Sequence, residues 1–188
     1  ASQSAQVIEN ARLYEEEKAF LSLQEEMRMA RDIQLHLLPD STPEIEGFQI
    51  STANIPAKSV GGDYLDFISL PNNKLGFCVG DITGKGMPAA MLMANLQATL
   101  RSHAIMYEDC VKCMYGTNNL LYRSTDPTKF ATLFYGILDQ KNATIQYSNG
   151  GHDAPLLIRN NEEAIHLDST GLLLGVMKES EYEMQTLS

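Results

Sequence analysis

Two aspartates define the chemistry this sequence could perform. Asp63 lies in VGGDYLD (Val60 to Asp66) and Asp81 in GDITGKG (Gly80 to Gly86). Each follows a glycine and precedes a core-forming residue, so each carboxylate is expected at the end of a buried strand. Antiparallel neighbours would bring two such ends together. Converging carboxylates suit Mg²⁺ or Mn²⁺, hard ions that take oxygen ligands and keep several waters. Glycine and aspartate also dominate turns, so spacing alone leaves a plain turn reading open.

The flanking sequence supplies the elements that must position them. YLDFISL (Tyr64 to Leu70) and KLGFCVGDI (Lys74 to Ile82) are strand patterns around a Pro71-Asn72-Asn73 turn, the mark of an antiparallel hairpin. Such a hairpin puts Asp63 and Asp66 at the start of one arm and Asp81 at the end of the other. Like charges brought close need a cation to offset them, which favours the metal reading. Pro88 sits where a first helical residue belongs, and Pro88 to Ala104 predicts a strongly apolar, buried helix. The loop before it is not a Walker A phosphate cradle, because Gly80, Gly84, Lys85 and Gly86 have the wrong spacing. Its glycines instead let backbone and helix approach closely.

Elsewhere the pattern predicts a strand over Phe48 to Ala57 and a second helix over Glu108 to Tyr122. Three more strands are expected in Phe130 to Asp139, Ala143 to Gly151 and Ala154 to Asn160. The tail carries a Gly171-to-Gly175 turn and one last edge strand. The chain opens on a Pro- and Gly-free stretch, Ser4 to Leu38, in which Phe20, Leu23, Met27, Ala30 and Leu37 follow a three-four spacing. That is the seam of a coiled coil or helical hairpin, interrupted by Gln34. A long helix without cover is marginal alone, so a partner helix is expected; after Met27, packing on its own domain is an equal alternative.

Composition sets the bounds. A chain of 188 residues suits one domain plus an appendage. Its formal charge of -10 argues against a broad nucleic-acid or anionic-membrane surface. No apolar run approaches the roughly 20 residues that span a bilayer, and no secretory signal pattern is present; a cytoplasmic location is expected. Three cysteines, Cys78, Cys110 and Cys113, suggest a reducing compartment. Cys110 and Cys113 form a C-x-x-C, but structural zinc takes four ligands and there is no second pair. A helix with both thiols on one face is the expectation. His152 and Asp153 follow Gly150-Gly151 without a nucleophile elbow, so no hydrolase triad is read from them.

LLP (Leu37 to Pro39), PAKSVGGDYLD (Pro56 to Asp66), GDITGKGMPAAMLMA (Gly80 to Ala94), FATLFYGILD and YSNGGHDAPLL occur in an order that resembles the bacterial SpoIIE/RsbU-type serine phosphatases. These are a branch of the metal-dependent protein phosphatases (PPM). The resemblance covers about Met29 to Gly175. It implies an α+β fold, a two-layer antiparallel β-sandwich flanked by helices, with a site for two Mn²⁺ or Mg²⁺ ions at one end. It also implies hydrolysis of phosphoserine or phosphothreonine on a protein, typically an anti-sigma-factor antagonist in a stress response. The chain would divide into a helical signalling linker, 1–38, and a phosphatase domain, 39–188.

Carried over residue by residue, Asp81 matches the aspartate that bridges both metals. Ile82 matches the position that gives a backbone carbonyl, and Asp63 the acid on the second ion. Lys58 stands where eukaryotic members carry a phosphate-gripping arginine. Members continue past the position of Ser188 with two further acidic ligands, so the chain, which begins at Ala1 and not at Met, is expected to be a piece of a longer protein. Residues 1–188 alone are then expected to be inactive and to bind Mn²⁺ weakly. ENARLYEEE resembles the exit helix of a GAF-type sensor domain, which implies upstream control through the helix, and the apolar seam from Phe20 to Leu37 is expected to pair with a second copy as a homodimer. The alternative is a non-catalytic pseudophosphatase that binds a partner protein through the same surface.

Overall fold

A computed structural model describes residues 3–55, 59–126, 128–159 and 163–188. The alternation of YLDFISL and KLGFCVGDI folds as expected into strands β1 (Tyr64–Leu70) and β2 (Lys74–Ile82). Leu70 pairs with Lys74, so Pro71, Asn72 and Asn73 make the turn. Both asparagines adopt the left-handed conformation, φ 60° and 56°, which asparagine tolerates better than most residues.

Helices α2 (Met87–Met106) and α3 (Cys110–Ser124) follow. Pro88 lies in the first turn of α2. Asp109 caps α3, its carboxylate accepting from the Val111 and Lys112 amides at 2.8 and 3.1 Å, which satisfies donors the helix leaves open. The C-x-x-C therefore opens a helix, and both of its thiols are buried.

Strands β3 (Ala131–Asp139) and β4 (Thr144–Gly150), the short pair β5 (Leu156–Leu157) and β6 (Ile165–His166), and β7 (Gln185–Leu187) complete the order. The main sheet runs β1-β2-β3-β4-β7, all antiparallel. Its helix-facing side follows the period-two rule. Tyr64, Ile68, Cys78, Ile82, Leu133, Tyr135 and Ile137 pack with Met93, Leu96 and Leu100 of α2 and with Cys113, Met114 and Leu121 of α3. Met93, Leu96 and Leu100 are wholly buried; truncating such a side chain to alanine costs about 2–5 kcal/mol. On the opposite face Phe134 and Tyr147 pack with Leu157 and Leu167, so the β5–β6 hairpin region forms the second layer.

Two expected strands are corrected. Within Phe48 to Ala57, the described residues 49–55 are irregular, and Phe48 forms only an isolated bridge to Ile45. Alternation alone does not make a strand, and among the described residues no neighbouring strand pairs with it. Within Ala154 to Asn160, among the described residues 154–159, only Leu156 and Leu157 form a strand. The last edge strand, β7, is present as read.

The long helix α1 spans Gln3–Leu35. Phe20 and Leu23 of its apolar seam are more than half exposed, and its far end docks. Gln34, the residue that interrupts the seam, is buried and reads both backbone groups of Gly61. Its Nε2 donates to the Gly61 carbonyl at 2.7 Å and its Oε1 accepts from the Gly61 amide at 3.0 Å. Gln97 of α2 donates to the Leu37 carbonyl at 3.1 Å, and Leu38 packs on the main core.

Candidate functional site

Strand parity decides which aspartates meet. Tyr64 pairs with Gly80, so the next step along the ladder sets Asp63 opposite Asp81. Asp81 alternates with the buried Gly80 and Ile82 and therefore faces away from α2 and α3. Both carboxylates are exposed, and both line one cleft of about 440 Å³ at the end of the sheet. Ser51 to Ile55 form another wall, and His152 completes the rim.

Close approach is built in at Gly62. A Cβ there would lie 2.9 Å from the Ile82 carbonyl oxygen and 3.4 Å from the Ala89 methyl. Any side chain would push the Asp63 segment away from the end of β2 and from α2. Gln34 fixes the preceding residue, Gly61, from the other side.

The structure separates Asp66 from this group. It shares parity with Tyr64 and Ile68, faces the helices and is fully buried. It accepts two hydrogen bonds from Arg101 at 2.6 and 2.7 Å and one from the Tyr64 hydroxyl at 2.7 Å. Its charge is satisfied inside the core, and it is a structural residue.

His152 reaches the cleft through a rigid turn. Gly151 has φ 69°, a conformation glycine adopts freely. The buried Asn149 side chain accepts from the His152 amide at 2.8 Å and donates to the His152 carbonyl at 3.0 Å. The imidazole Nδ1 lies 2.8 Å from Thr132 Oγ1. Thr132 is the register partner of Asp81, and its Oγ1 accepts from the Asp81 amide at 3.3 Å. Burial pushes the His152 imidazole below its usual range, opposed by the charges of Asp153 and Asp81. Neither His152 nor Thr132 stood among the residues read as functional. The His152 signal was its place after Gly150-Gly151, and only the fold brings Thr132 to it.

Asp63 and Asp81 are thus brought together, while Ile82 ends β2 with a buried side chain and is not part of the cleft lining. Lys58 lies outside the described residues. Among the described residues neither Asp63 nor Asp81 has an ion-pair or hydrogen-bond partner for its carboxylate, and no group of three or more His, Cys, Asp or Glu side chains clusters as a metal cage. Two unpaired hard carboxylates at one strand end fit the way Mg²⁺ is held, by one or two carboxylates, waters and substrate phosphate oxygens.

The fold is of PP2C type. The SiaA-PP2C domain of Pseudomonas aeruginosa superposes with a TM-score of 0.70 at 16% identity, covering 90% of this chain and 68% of that one. The RsbU and RsbW domains of a Mycobacterium tuberculosis protein superpose with a TM-score of 0.59 at 28% identity, covering 70% and 37%. The family is narrower: the model described as Stage II sporulation protein E (SpoIIE) matches residues 71–188, and the chain belongs to that family. It is similar to Protein IcfG of Synechocystis sp., 31% identical over 190 residues, covering 86% of this chain and 30% of that protein. It is also similar to the phosphoserine phosphatase RsbU of Bacillus subtilis, 24% identical over 175 residues, covering 90% and 52%. The chain thus spans about half or less of the length of these relatives.

Proposed function

We propose that this chain carries the core of a metal-dependent protein serine/threonine phosphatase. The observation that carries the reading is the pair of exposed carboxylates, Asp63 and Asp81, unpartnered among the described residues and facing one cleft at the end of the sheet. Its setting in a SpoIIE-family chain, with a phosphoserine phosphatase among its relatives, supports the reaction class. Asp63, Asp81 and the carbonyl of Ile82 would hold Mn²⁺ or Mg²⁺. When bound, two such ions supply charge neutralisation for the phosphoryl oxygens and a water acidic enough to attack phosphorus.

The protein's own residues do the rest. Gly62 and Gln34 hold the Asp63 segment against the end of β2. The β2–β3 register holds Asp81 beside Thr132. Residues 51–55 wall the cleft and would meet the peptide around the phosphorylated side chain. A phosphorylated regulatory protein, such as an anti-sigma-factor antagonist, is the substrate class. The docking of α1 onto Gly61, two residues before Asp63, supports control through that helix by an upstream sensor. Residues 1–38 would then be the linker and 39–188 the catalytic domain, paired as a homodimer through α1 in the cytoplasm.

The test is hydrolysis of a phosphoserine peptide by the natural full-length protein. The account expects turnover with added Mn²⁺, its loss on chelation and its return on metal re-addition. Turnover that survives full chelation would overturn the metal-dependent reading.

A further inference from the structure

The cleft holds a third polar group that the two-carboxylate reading does not use. Hydrolysis of a serine phosphate expels an alkoxide, a strong base that leaves slowly unless it is protonated as the bond breaks. Asp63 and Asp81 are committed to cations and cannot supply that proton. Of the other described residues lining the cleft, Ser51, Thr52 and Asn54 have no acidity near neutral pH, and the Tyr64 hydroxyl is turned into the core toward Asp66. In the loop after Asp81, the Thr83 hydroxyl donates to the Phe130 carbonyl at 3.1 Å, and Lys85 does not line the cleft. His152 remains.

Its geometry suits the task. Nδ1 is engaged by Thr132 Oγ1 at 2.8 Å, and among the described residues Nε2 has no partner, which leaves it to meet a substrate. The same Thr132 oxygen accepts from the Asp81 amide, so the ring is tied to the backbone that presents a metal ligand. Asn149 locks the turn below it with two hydrogen bonds. The imidazole is therefore held at a fixed position relative to Asp81, as proton transfer requires.

We propose that His152 is the acid of this site, delivering the Nε2 proton to the leaving serine oxygen; the proposal rests on the phosphatase reading above. Water oxygen forms the new bond to phosphorus, and the bond from phosphorus to the serine oxygen breaks with its electron pair on oxygen. That oxygen takes the proton from Nε2 and leaves as the serine hydroxyl. The donor is the imidazolium, whose other ring proton, on Nδ1, is hydrogen-bonded to Thr132 Oγ1; the attacking water releases one proton to solvent, and the neutral imidazole left behind takes one back from solvent. Thr132 is a positioning residue in this step.

The experiment compares two substrates in the natural full-length protein with Mn²⁺: a phosphoserine peptide, and 4-nitrophenyl phosphate, whose leaving group needs no proton. Positioned acids contribute about 10²- to 10⁴-fold. His152→Gln is therefore expected to lose about 30-fold or more in kcat on phosphoserine beyond whatever it loses on the nitrophenyl ester. Calorimetric titration should show Mn²⁺ binding to the variant unchanged. Thr132→Val should give the same substrate-selective loss in weaker form, restored by Thr132→Ser, and it carries the test if His152→Gln does not fold. Equal losses on both substrates, or none on phosphoserine, overturn the proposal. Asp81→Asn separates the two readings: it should lose both substrates together, and if it does while His152→Gln spares phosphoserine, only the role of His152 fails.

Discussion

Arg101 of α2 grips Asp66 of β1 through two parallel hydrogen bonds, Nε to Oδ2 at 2.6 Å and Nη2 to Oδ1 at 2.7 Å. The carboxylate is fully buried, whereas the guanidinium side chain is 44% exposed. The pair bolts the first strand of the sheet to the helix that follows the Asp81 loop. Removing one partner of a buried pair strands the other charge.

Arg101→Met should therefore destabilise the fold by about 2–3 kcal/mol, below the usual cost because the Tyr64 hydroxyl and Phe67 amide still donate to Asp66. Adding Asp66→Leu to it should recover part of the loss, since no charge is then left unpaired. Urea unfolding of both variants checks this. A single variant as stable as the wild type would mean that the pair contributes nothing.

The thiols give a pH prediction. Burial is the main cause that pushes Cys110 and Cys113 each up to about 12, and Cys78 is also raised. A thiol whose pKa is raised by folding contributes stability that is complete below its unfolded value of about 8.5 and is lost as pH climbs through the folded value. Stability should thus fall progressively between about pH 9 and 12. At pH 8 an aromatic disulfide reagent should titrate no thiol in the native protein and three after denaturation. Rapid labelling of two native thiols would contradict this burial and mark the C-x-x-C as reactive.

Much of this was legible in the sequence. Period-two alternation and the Pro-Asn-Asn turn specify the β1–β2 hairpin, and the hairpin alone brings Asp63 to Asp81. Asp66 misleads because its neighbourhood looks the same as that of Asp63; its parity with Tyr64 and Ile68 was the overlooked signal, together with Arg101 as the only charge in an apolar helix. Gln34 looked like a flaw in a coiled-coil seam, and its partner is a backbone 27 residues away, which no local pattern encodes. Ser51 to Ile55 alternate like a strand yet find no strand to pair with. His152 was visible, but Thr132 reaches it only through the β3–β4 register.

Gln34→Ala should release the end of α1 from Gly61. Two hydrogen bonds at about 0.5–1.5 kcal/mol each set the expected loss near 1–2 kcal/mol. Amide exchange should quicken in residues 59–63 and in the last turns of α1, with the sheet unaffected. Unchanged exchange in both segments would show that α1 is not coupled to the Asp63 segment through this residue.

The seam ahead of Gln34 is open. Phe20 and Leu23 are 58% and 57% exposed, apolar surface that a second copy of the helix would cover. Sedimentation should give a dimer for residues 1–188 and a monomer for residues 40–188, with Leu23→Lys shifting the former toward monomer. A monomer in every case across micromolar concentrations would exclude pairing through α1.

The central claim is that Asp81 holds catalytic metal, and one substitution reaches it directly. Asp81→Asn keeps the shape of the side chain and removes the charge, so the natural full-length protein should stay folded while its Mn²⁺-dependent phosphoserine hydrolysis drops by at least about 10³-fold and its Mn²⁺ affinity falls. Near-wild-type turnover with Mn²⁺ binding intact would contradict the account.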